Sequence, residues 1–444
     1  MIDFSTIKKV NAFYIIGIGG VSMSAIALCL KERGFLVAGT DIEKNNYTVK
    51  LTKNGITVNT IHSEKNVIGF EAVVYSSAIK SSCPELQEAK RRKLLILSRG
   101  ELLSYLLSEY KTVIAVAGTH GKTTTTAMIA EIFSAHKPIT AFIGGDSVRF
   151  SNFVSAKTDT AIVEACEYQQ NFLYLSPTDT IILNVDLDHT DCYPTILSAQ
   201  IAYKKFSRNT YSFVNGDDKN CKGISSKIKF GKNLANDFYA DKIKCSKDNT
   251  TFILYKDGKS LGKFTIGVQG EHNAINSLPA IAVALKYEIP LETIKQALAN
   301  FKGVKRRNEY LGQVSHTRYY ADYAHHPKEI STFLKNKLLR KNSLIVFQPH
   351  TYSRTKALFN DFILALKLNC PVAIFKTYPA RESFDEEGDG YLLYQKLKQT
   401  NKNVYYFEDC KTLLDKCKHY KSIYVLGAGD LYDMIKNSIN GNKN

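Results

Sequence analysis

The densest chemistry in the chain lies in Gly118-Thr119-His120-Gly121-Lys122-Thr123-Thr124. An apolar run of strand length, residues 113–117, empties into it, and good helix formers at 127–135 follow. That order suits a phosphate. N–H groups freed by glycine and the positive end of a helix dipole surround the anion, a lysine adds a full charge, and a hydroxyl reaches Mg²⁺. Gly121, Lys122 and Thr123 fill those roles. The general pattern asks for a glycine five places before Gly121; Val116 stands there, and Gly118 supplies the flexibility instead. Threonines that merely cap a helix are the competing reading, and the complete series of strand, turn, Lys-Thr and helix speaks against it.

A second glycine turn, Gly17-Ile18-Gly19-Gly20-Val21-Ser22, follows the apolar run 12–16 and opens a helix that ends at Arg33-Gly34. It misses the dinucleotide fingerprint by one residue, Ser22 for the third glycine, and Asp41 lies where a ribose-binding acid belongs. A phosphate or pyrophosphate is therefore expected on this helix, without distinguishing NAD from a UDP-sugar. Ser76 and Ser77, after the strand 72–75, form either a second lip of that crevice or a helix cap.

Acids close two further strands. The run 160–163 ends in Glu164-Ala165-Cys166-Glu167, and the run 180–185 in Asp186-Leu187-Asp188-His189. Ligands of α/β sheets gather at this carboxyl edge. Mg²⁺ takes oxygen donors, so Thr123 and Glu164 suit it, whereas His189 is an unusual ligand on grounds of softness. Asp186 and Asp188 have the alternative task of capping a helix near Thr195. Residues 211–267 read as short strands, with a hairpin at Asp257-Gly258. In Gly270-Glu271-His272-Asn273-Ala274-Ile275-Asn276, His272 and Asn276 share a helix face and could read an adenine edge, while Asn273 could equally be a cap.

Arg306-Arg307 opens a third alternating block. Its strands run into Asp322-Tyr323-Ala324-His325-His326-Pro327, Gln348-Pro349-His350-Thr351-Tyr352-Ser353-Arg354 and Gly427-Ala428-Gly429-Asp430. Histidines and arginines just after strands are exposed by loops and aimed by the sheet.

These blocks predict an α/β chain of three domains: 1–110, 111–304 and 305–444. Its 444 residues exceed what one core usually serves. A 44% hydrophobic and 23% charged composition is that of a soluble globular protein, without a membrane-spanning run or a secretory leader, and a cytoplasmic location is expected. Nine scattered cysteines without a C-x-x-C pair fit reduced thiols. The net charge of +17 is spread along the chain with no nucleic-acid motif, so it reads as solvated surface with a share left to attract polyanionic small substrates.

The glycine turn at Gly17, the phosphate loop, Glu164-Ala165-Cys166-Glu167, Asp188-His189, Gly270-Glu271-His272-Asn273, Arg306-Arg307, the loops after 322 and 348, and Gly427-Ala428-Gly429-Asp430 occur in one order that resembles the Mur ligases over nearly the whole chain. The resemblance implies a Rossmann-like N-terminal domain for the UDP part of a sugar nucleotide, a central P-loop-type ATPase domain with a mixed sheet, and a Rossmann-like C-terminal domain that completes the ATP and amino-acid sites. It implies an ATP- and Mg²⁺-dependent amide ligase in peptidoglycan precursor synthesis, joining UDP-N-acetylmuramate to L-alanine, as a monomer or homodimer. A relative that attaches a preformed tripeptide to the same sugar ranks second. Carried over, Gly17, Gly19, Gly20, Val21, Ser22, Asp41, Ser76 and Ser77 would bind the UDP-sugar. Gly118, Thr119, Gly121, Lys122, Thr123, Thr124, His272, Asn276, Arg306, Asp322 and Tyr323 would bind ATP. Thr123, Glu164 and His189 would hold Mg²⁺, and His325, His350 and Arg354 would face the amino acid and the sugar carboxylate. Lys122, Glu164, His189, Arg306 and His325 would be catalytic. The pattern departs at Cys166 and Thr351, where many relatives carry Asp and Arg. A nicotinamide oxidoreductase using the Gly17 turn and Asp41 would leave Lys122-Thr123 and the acidic strand ends without a task, and an inert scaffold would not need them.

Overall fold

The computed structural model describes residues 4–188, 192–246, 248–335, 339, 342–380 and 382–441. The chain divides into two compact units, Met1–Val304 and Lys305–Asn444. Among the described residues the first unit holds two sheets and the second holds one.

The N-terminal sheet comprises β1 (Ala12–Ile16), β2 (Leu36–Thr40), β3 (Thr57–Asn59), β4 (Ala72–Tyr75) and β5 (Leu95–Ser98), in the order β3-β2-β1-β4-β5. All its pairings are parallel. Every residue of β1 is buried, which explains why it reads as an unbroken apolar run and not as an alternation. Ile16 lies level with Thr40 and with Tyr75, so the turns after β1, β2 and β4 leave the sheet side by side. Helix Val21–Glu32 starts at that edge on Gly20, which gives it no side-chain cap.

The second sheet runs β15-β14-β13-β12-β11-β10-β6-β9-β7-β8. Its strands are β6 (Thr112–Ala117), β7 (Thr140–Ser147), β8 (Ser151–Val154), β9 (Thr160–Glu164), β10 (Asp179–Ile182), β11 (Tyr211–Asn215), β12 (Ile228–Gly231), β13 (Phe238–Cys245), β14 (Thr250–Lys256) and β15 (Lys259–Ile266). It is mixed as expected, antiparallel at β7–β8 and through β13–β15 and parallel elsewhere. The hairpin at Asp257-Gly258 forms with φ of +50° and +74°, the signs a tight primed turn requires. Helix Lys122–Ser134 is buried from Thr123 to Phe133, packed on the sheet and on helix Glu271–Lys286, so it has no polar stripe. It begins directly at Lys122, earlier than the run of strong helix formers suggested.

The second unit has the order β16-β17-β21-β18-β19-β20, built from β16 (Glu309–Val314), β17 (Thr317–Asp322), β18 (Ser343–Phe347), β19 (Val372–Phe375), β20 (Val404–Phe407) and β21 (Ser422–Leu426). β16 pairs antiparallel with β17, and the other pairings are parallel. Asp322 and Phe347 both lie level with Leu426. The three loops carrying histidine, arginine and glycine therefore start from one line.

Candidate active site

β6 sits between β10 and β9, with Ala117 level with Ile182 and Val116 level with Glu164. This pairing sets the acidic strand end beside the phosphate loop. Gly121 adopts φ +86°, and a Cβ placed on it would lie 2.7 Å from the Asn276 side-chain oxygen. Any side chain there would be strained and blocked, and glycine leaves backbone N–H groups open to a ligand. Asn276 is thus packed against the phosphate loop itself. Lys122 Nζ donates to the carbonyls of Gly118 and Thr119 and, at 2.9 Å, to Oε1 of Glu167. The two side chains are 13% and 6% exposed. Burial works against the ammonium, but Glu167 and then Glu164 outweigh it and hold its pKa above the usual lysine range. Oε2 of Glu167 is buried without a hydrogen-bond partner among the described residues. The sequence singled out Glu167 only as part of an acidic element; its pairing with Lys122 arises because the chain after β9 curls back over the loop.

Glu164 accepts a hydrogen bond from the Gly144 N–H at 3.0 Å, and a Cβ on Gly144 would fall onto its carboxylate. A Cβ on Gly145 would lie 2.9 Å from the Thr123 methyl. The Gly144-Gly145 pair of β7 therefore brings Thr123 and Glu164, the two expected oxygen ligands, into one neighbourhood. His189 lies outside the described residues. Gly144→Ala is expected to displace the Glu164 carboxylate; with Glu164 as the Mg²⁺ ligand the resemblance implies, the Mg²⁺ concentration needed for turnover should rise and the rate fall by about 10–100-fold, and a magnesium titration identical to wild type would refute that ligand role.

Asp186 is not a helix cap. Thr195 caps helix Ile196–Phe206 itself, in a reciprocal capping box with Ser198, because its hydroxyl stands directly at the helix start. The Asp186 N–H donates to Thr119 Oγ1 at 2.9 Å, and its carboxylate stands 3.5 Å from His120 Nε2. Asn273 does not cap either: its side chain donates to the Gln269 carbonyl at 2.8 Å, and Gly270 begins the helix. The His272 ring folds over Gly270.

At the N-terminal sheet edge, Asp41 accepts from the Gly19 N–H at 2.8 Å, closing the glycine turn from below. A Cβ on Gly17 would lie 3.1 Å from Ser76 Oγ, so Ser76 does line the same crevice, while Ser77 is exposed. Val21 and Ser22 open the helix beyond the turn, and Arg99 Nη1 donates to Ser22 Oγ at 3.1 Å. Sequence reasoning passed over Arg99, whose signal is only a basic residue at the end of β5. Burial, then Glu167, pushes the Cys166 thiol up, and Arg99 and Lys122 oppose this.

In the second unit Arg306 Nη2 donates to the carbonyls of Gly427 (3.0 Å) and Gly429 (2.8 Å), with its guanidinium over the rings of Tyr323 and Tyr432 at 4.8 and 4.7 Å. Its Nε–H is buried with no partner among the described residues. Asp322 accepts from the N–H groups of Asn308 (2.8 Å) and Ala324 (2.9 Å), and burial raises its pKa against the pull of Arg307. In neutral His325 the Nδ1–H donates to the Tyr323 carbonyl at 2.9 Å, which leaves Nε2 as the acceptor nitrogen. Its ring centre is 5.8 Å from that of His350. Arg354 Nη1 lies 3.3 Å from His350 Nδ1 as donor.

Burial, then the charges of His325, Arg354 and Arg306, pushes the His350 pKa down to about 3. The unfolded chain, with an imidazole near ~6.5, then binds the proton more readily than the folded one. This group's contribution to stability is complete above pH ~6.5 and is lost as the pH falls toward about 3, by roughly 2–4 kcal/mol. Thermal melts from pH 7 to 4 should show a flatter decline for His350→Gln than for wild type; parallel declines would refute the assignment.

Two family descriptions match this chain: the Mur ligase family catalytic domain over residues 12–111 and the Mur ligase middle domain over residues 116–284. A UDP-N-acetylmuramate–L-alanine ligase of Caldicellulosiruptor bescii is 39% identical, over 95% of this chain and 96% of the relative. One from Aquifex aeolicus is 38% identical over 85% and 86%. The crystal structure of a UDP-N-acetylmuramate-alanine ligase from Thermotoga maritima superposes with a TM-score of 0.86 at 27% identity, covering 97% of this chain and 99% of that one. Sequence kinship over nearly the full length, with the same fold beneath it, shows that the chain belongs to the Mur ligase family.

Proposed function

We propose that the chain is an ATP-dependent ligase that joins the carboxylate of UDP-N-acetylmuramate to the amino group of L-alanine through an acyl phosphate, in peptidoglycan precursor synthesis. The observation that carries this reading is the buried Lys122 ammonium at the phosphate loop, in a chain 39% identical over nearly its whole length to a relative named for that activity. Residues 1–110 take the sugar nucleotide, 111–304 take ATP, and 305–444 serve the amino acid and further nucleotide contacts.

The residues fit these ligands. Thr123 and Glu164 are oxygen donors of the kind Mg²⁺ takes, gathered along Gly144-Gly145, and the unpartnered Nε–H of Arg306 suits a phosphate oxygen. Thr123 and Glu164, with His189 as the third expected ligand, would hold Mg²⁺, which would supply neutralising charge for the phosphates. Lys122 exchanges its loop carbonyls and Glu167 for phosphate oxygens, and Arg306 steadies the group in transit. His272 and Asn276 serve the adenine side, with Asp322 and Tyr323 at ribose and base.

A carboxylate is a poor electrophile. One of its oxygens takes the γ-phosphoryl group as ADP leaves; the amine of alanine then attacks the carbonyl carbon, a C–N bond forms, and phosphate departs with the C–O electrons. Nε2 of His325 orients the amine and takes its proton, while His350 and Arg354 hold the two carboxylate-bearing substrates. No helix among the described residues is long and apolar enough to cross a membrane. The protein acts in the cytoplasm, as a monomer or homodimer.

The test is phosphate release from ATP by the full chain. It should require UDP-N-acetylmuramate and an amino acid together, with alanine preferred over glycine and serine. Release with either alone, or with neither, would overturn the reading, as would turnover of a nicotinamide cofactor in place of ATP.

A further inference from the structure

Near the carboxyl edge of the N-terminal sheet lies a group of side chains to which the mechanism proposed above gives no part. His62 follows β3, Cys83 is the N-cap of helix Pro84–Arg91, and Glu85 stands in that helix's first turn. Nδ1 of His62 is 2.8 Å from Oε2 of Glu85, while Sγ of Cys83 is 3.1 Å from the same oxygen and 3.7 Å from Nδ1. Among the described residues this is the one cluster in which three His, Cys, Asp or Glu ligand atoms lie within 4.8 Å of one another.

We propose that His62, Cys83 and Glu85 form a binding site for a borderline-soft divalent cation, zinc foremost, with an open fourth position. Zinc bonds of about 2.3 Å to sulfur and about 2.0–2.2 Å to nitrogen and oxygen, set at tetrahedral angles, put sulfur about 3.5 Å from the other two donors and those two about 3.3 Å apart. The observed triangle differs from that face by no more than about 0.5 Å on any edge. The protons that now tie thiol and imidazole to the carboxylate are those an ion would displace, so the side chains need little movement.

Two further features fit a metal. The second oxygen of Glu85 accepts from Thr40 Oγ1 at 2.8 Å and from Asn66 Nδ2 at 3.1 Å, so the carboxylate is oriented from behind. The Glu85 side chain is 0% exposed and that of His62 is 30% exposed, which leaves an entry on the imidazole side. Sulfur and imidazole donors disfavour Mg²⁺, so the site is chemically separate from the oxygen donors Thr123 and Glu164. It also touches the sugar-nucleotide edge, since Thr40 directly precedes Asp41.

The test uses the reduced full chain, stripped with a chelator and titrated with Co²⁺ in millimolar Mg²⁺ to mask the hard-ligand site. One equivalent should produce a near-ultraviolet thiolate-to-cobalt absorption that Zn²⁺ abolishes by displacement, and Zn²⁺ should raise the melting temperature. Cys83→Ser and, at the more exposed position, His62→Gln should each lose the band while retaining wild-type circular dichroism. No thiolate band in the wild type, or a band that survives both substitutions, would overturn the proposal. Because neither readout involves ATP or the sugar nucleotide, failure here leaves the ligase reading standing.

Discussion

Lys122→Ala should lower the rate of ATP-dependent amide formation by about a thousandfold or more, because the role proposed for Lys122 is to set its charge against the transferring phosphoryl group. Structure adds a second consequence. Lys122 compensates Glu167, whose side chain is 6% exposed, so the single variant leaves a buried carboxylate uncompensated. The nucleotide-free protein should lose about 3 kcal/mol of stability. Adding Glu167→Gln to Lys122→Ala should restore most of the stability and none of the rate. Chemical denaturation alongside single-turnover kinetics checks both halves; a double variant that regains turnover would show that Lys122 has no role in phosphoryl transfer.

Arg306→Lys is the second large effect. One guanidinium nitrogen bridges the carbonyls of Gly427 and Gly429 while the plane lies on Tyr323 and Tyr432, and Nε–H remains for a ligand. An ammonium keeps the charge but has neither the plane nor the fork. Turnover should fall about a hundredfold in Arg306→Lys and about a thousandfold in Arg306→Ala. The lost anchoring of the Gly427–Gly429 turn should cost about 1–3 kcal/mol in addition. Rates measured at saturating ATP separate the two effects, and a lysine variant with wild-type turnover would refute the role.

Glu164, Gly144 and Thr123 show how a site is assembled from parts that are each unremarkable alone. The acid at the end of β9 is visible as a polar residue closing an apolar run. That a glycine twenty residues earlier donates to it and leaves room for its carboxylate depends on β7 lying beside β9, a pairing no local pattern announces. The apparent helix-capping task of Asp186 failed for the converse reason: Thr195 was nearer to the helix start, and short-range geometry prevailed.

The sequence alone determined the features made within one turn of chain: the strand, glycine turn and helix of the phosphate loop, the Gly17 turn, the Asp257-Gly258 hairpin, and the placing of polar residues just past strand ends. Backbone sterics and hydrogen bonding act over a few residues, so composition and spacing suffice there. The order of strands, and with it which ends stand level, emerges only on folding. Glu167 on Lys122, Arg99 on Ser22, and His62 with Cys83 and Glu85 are separated by 45, 77 and 21–23 residues respectively. Parallel strands are joined by long crossovers, so their neighbours are chosen by burial and register across the whole sheet.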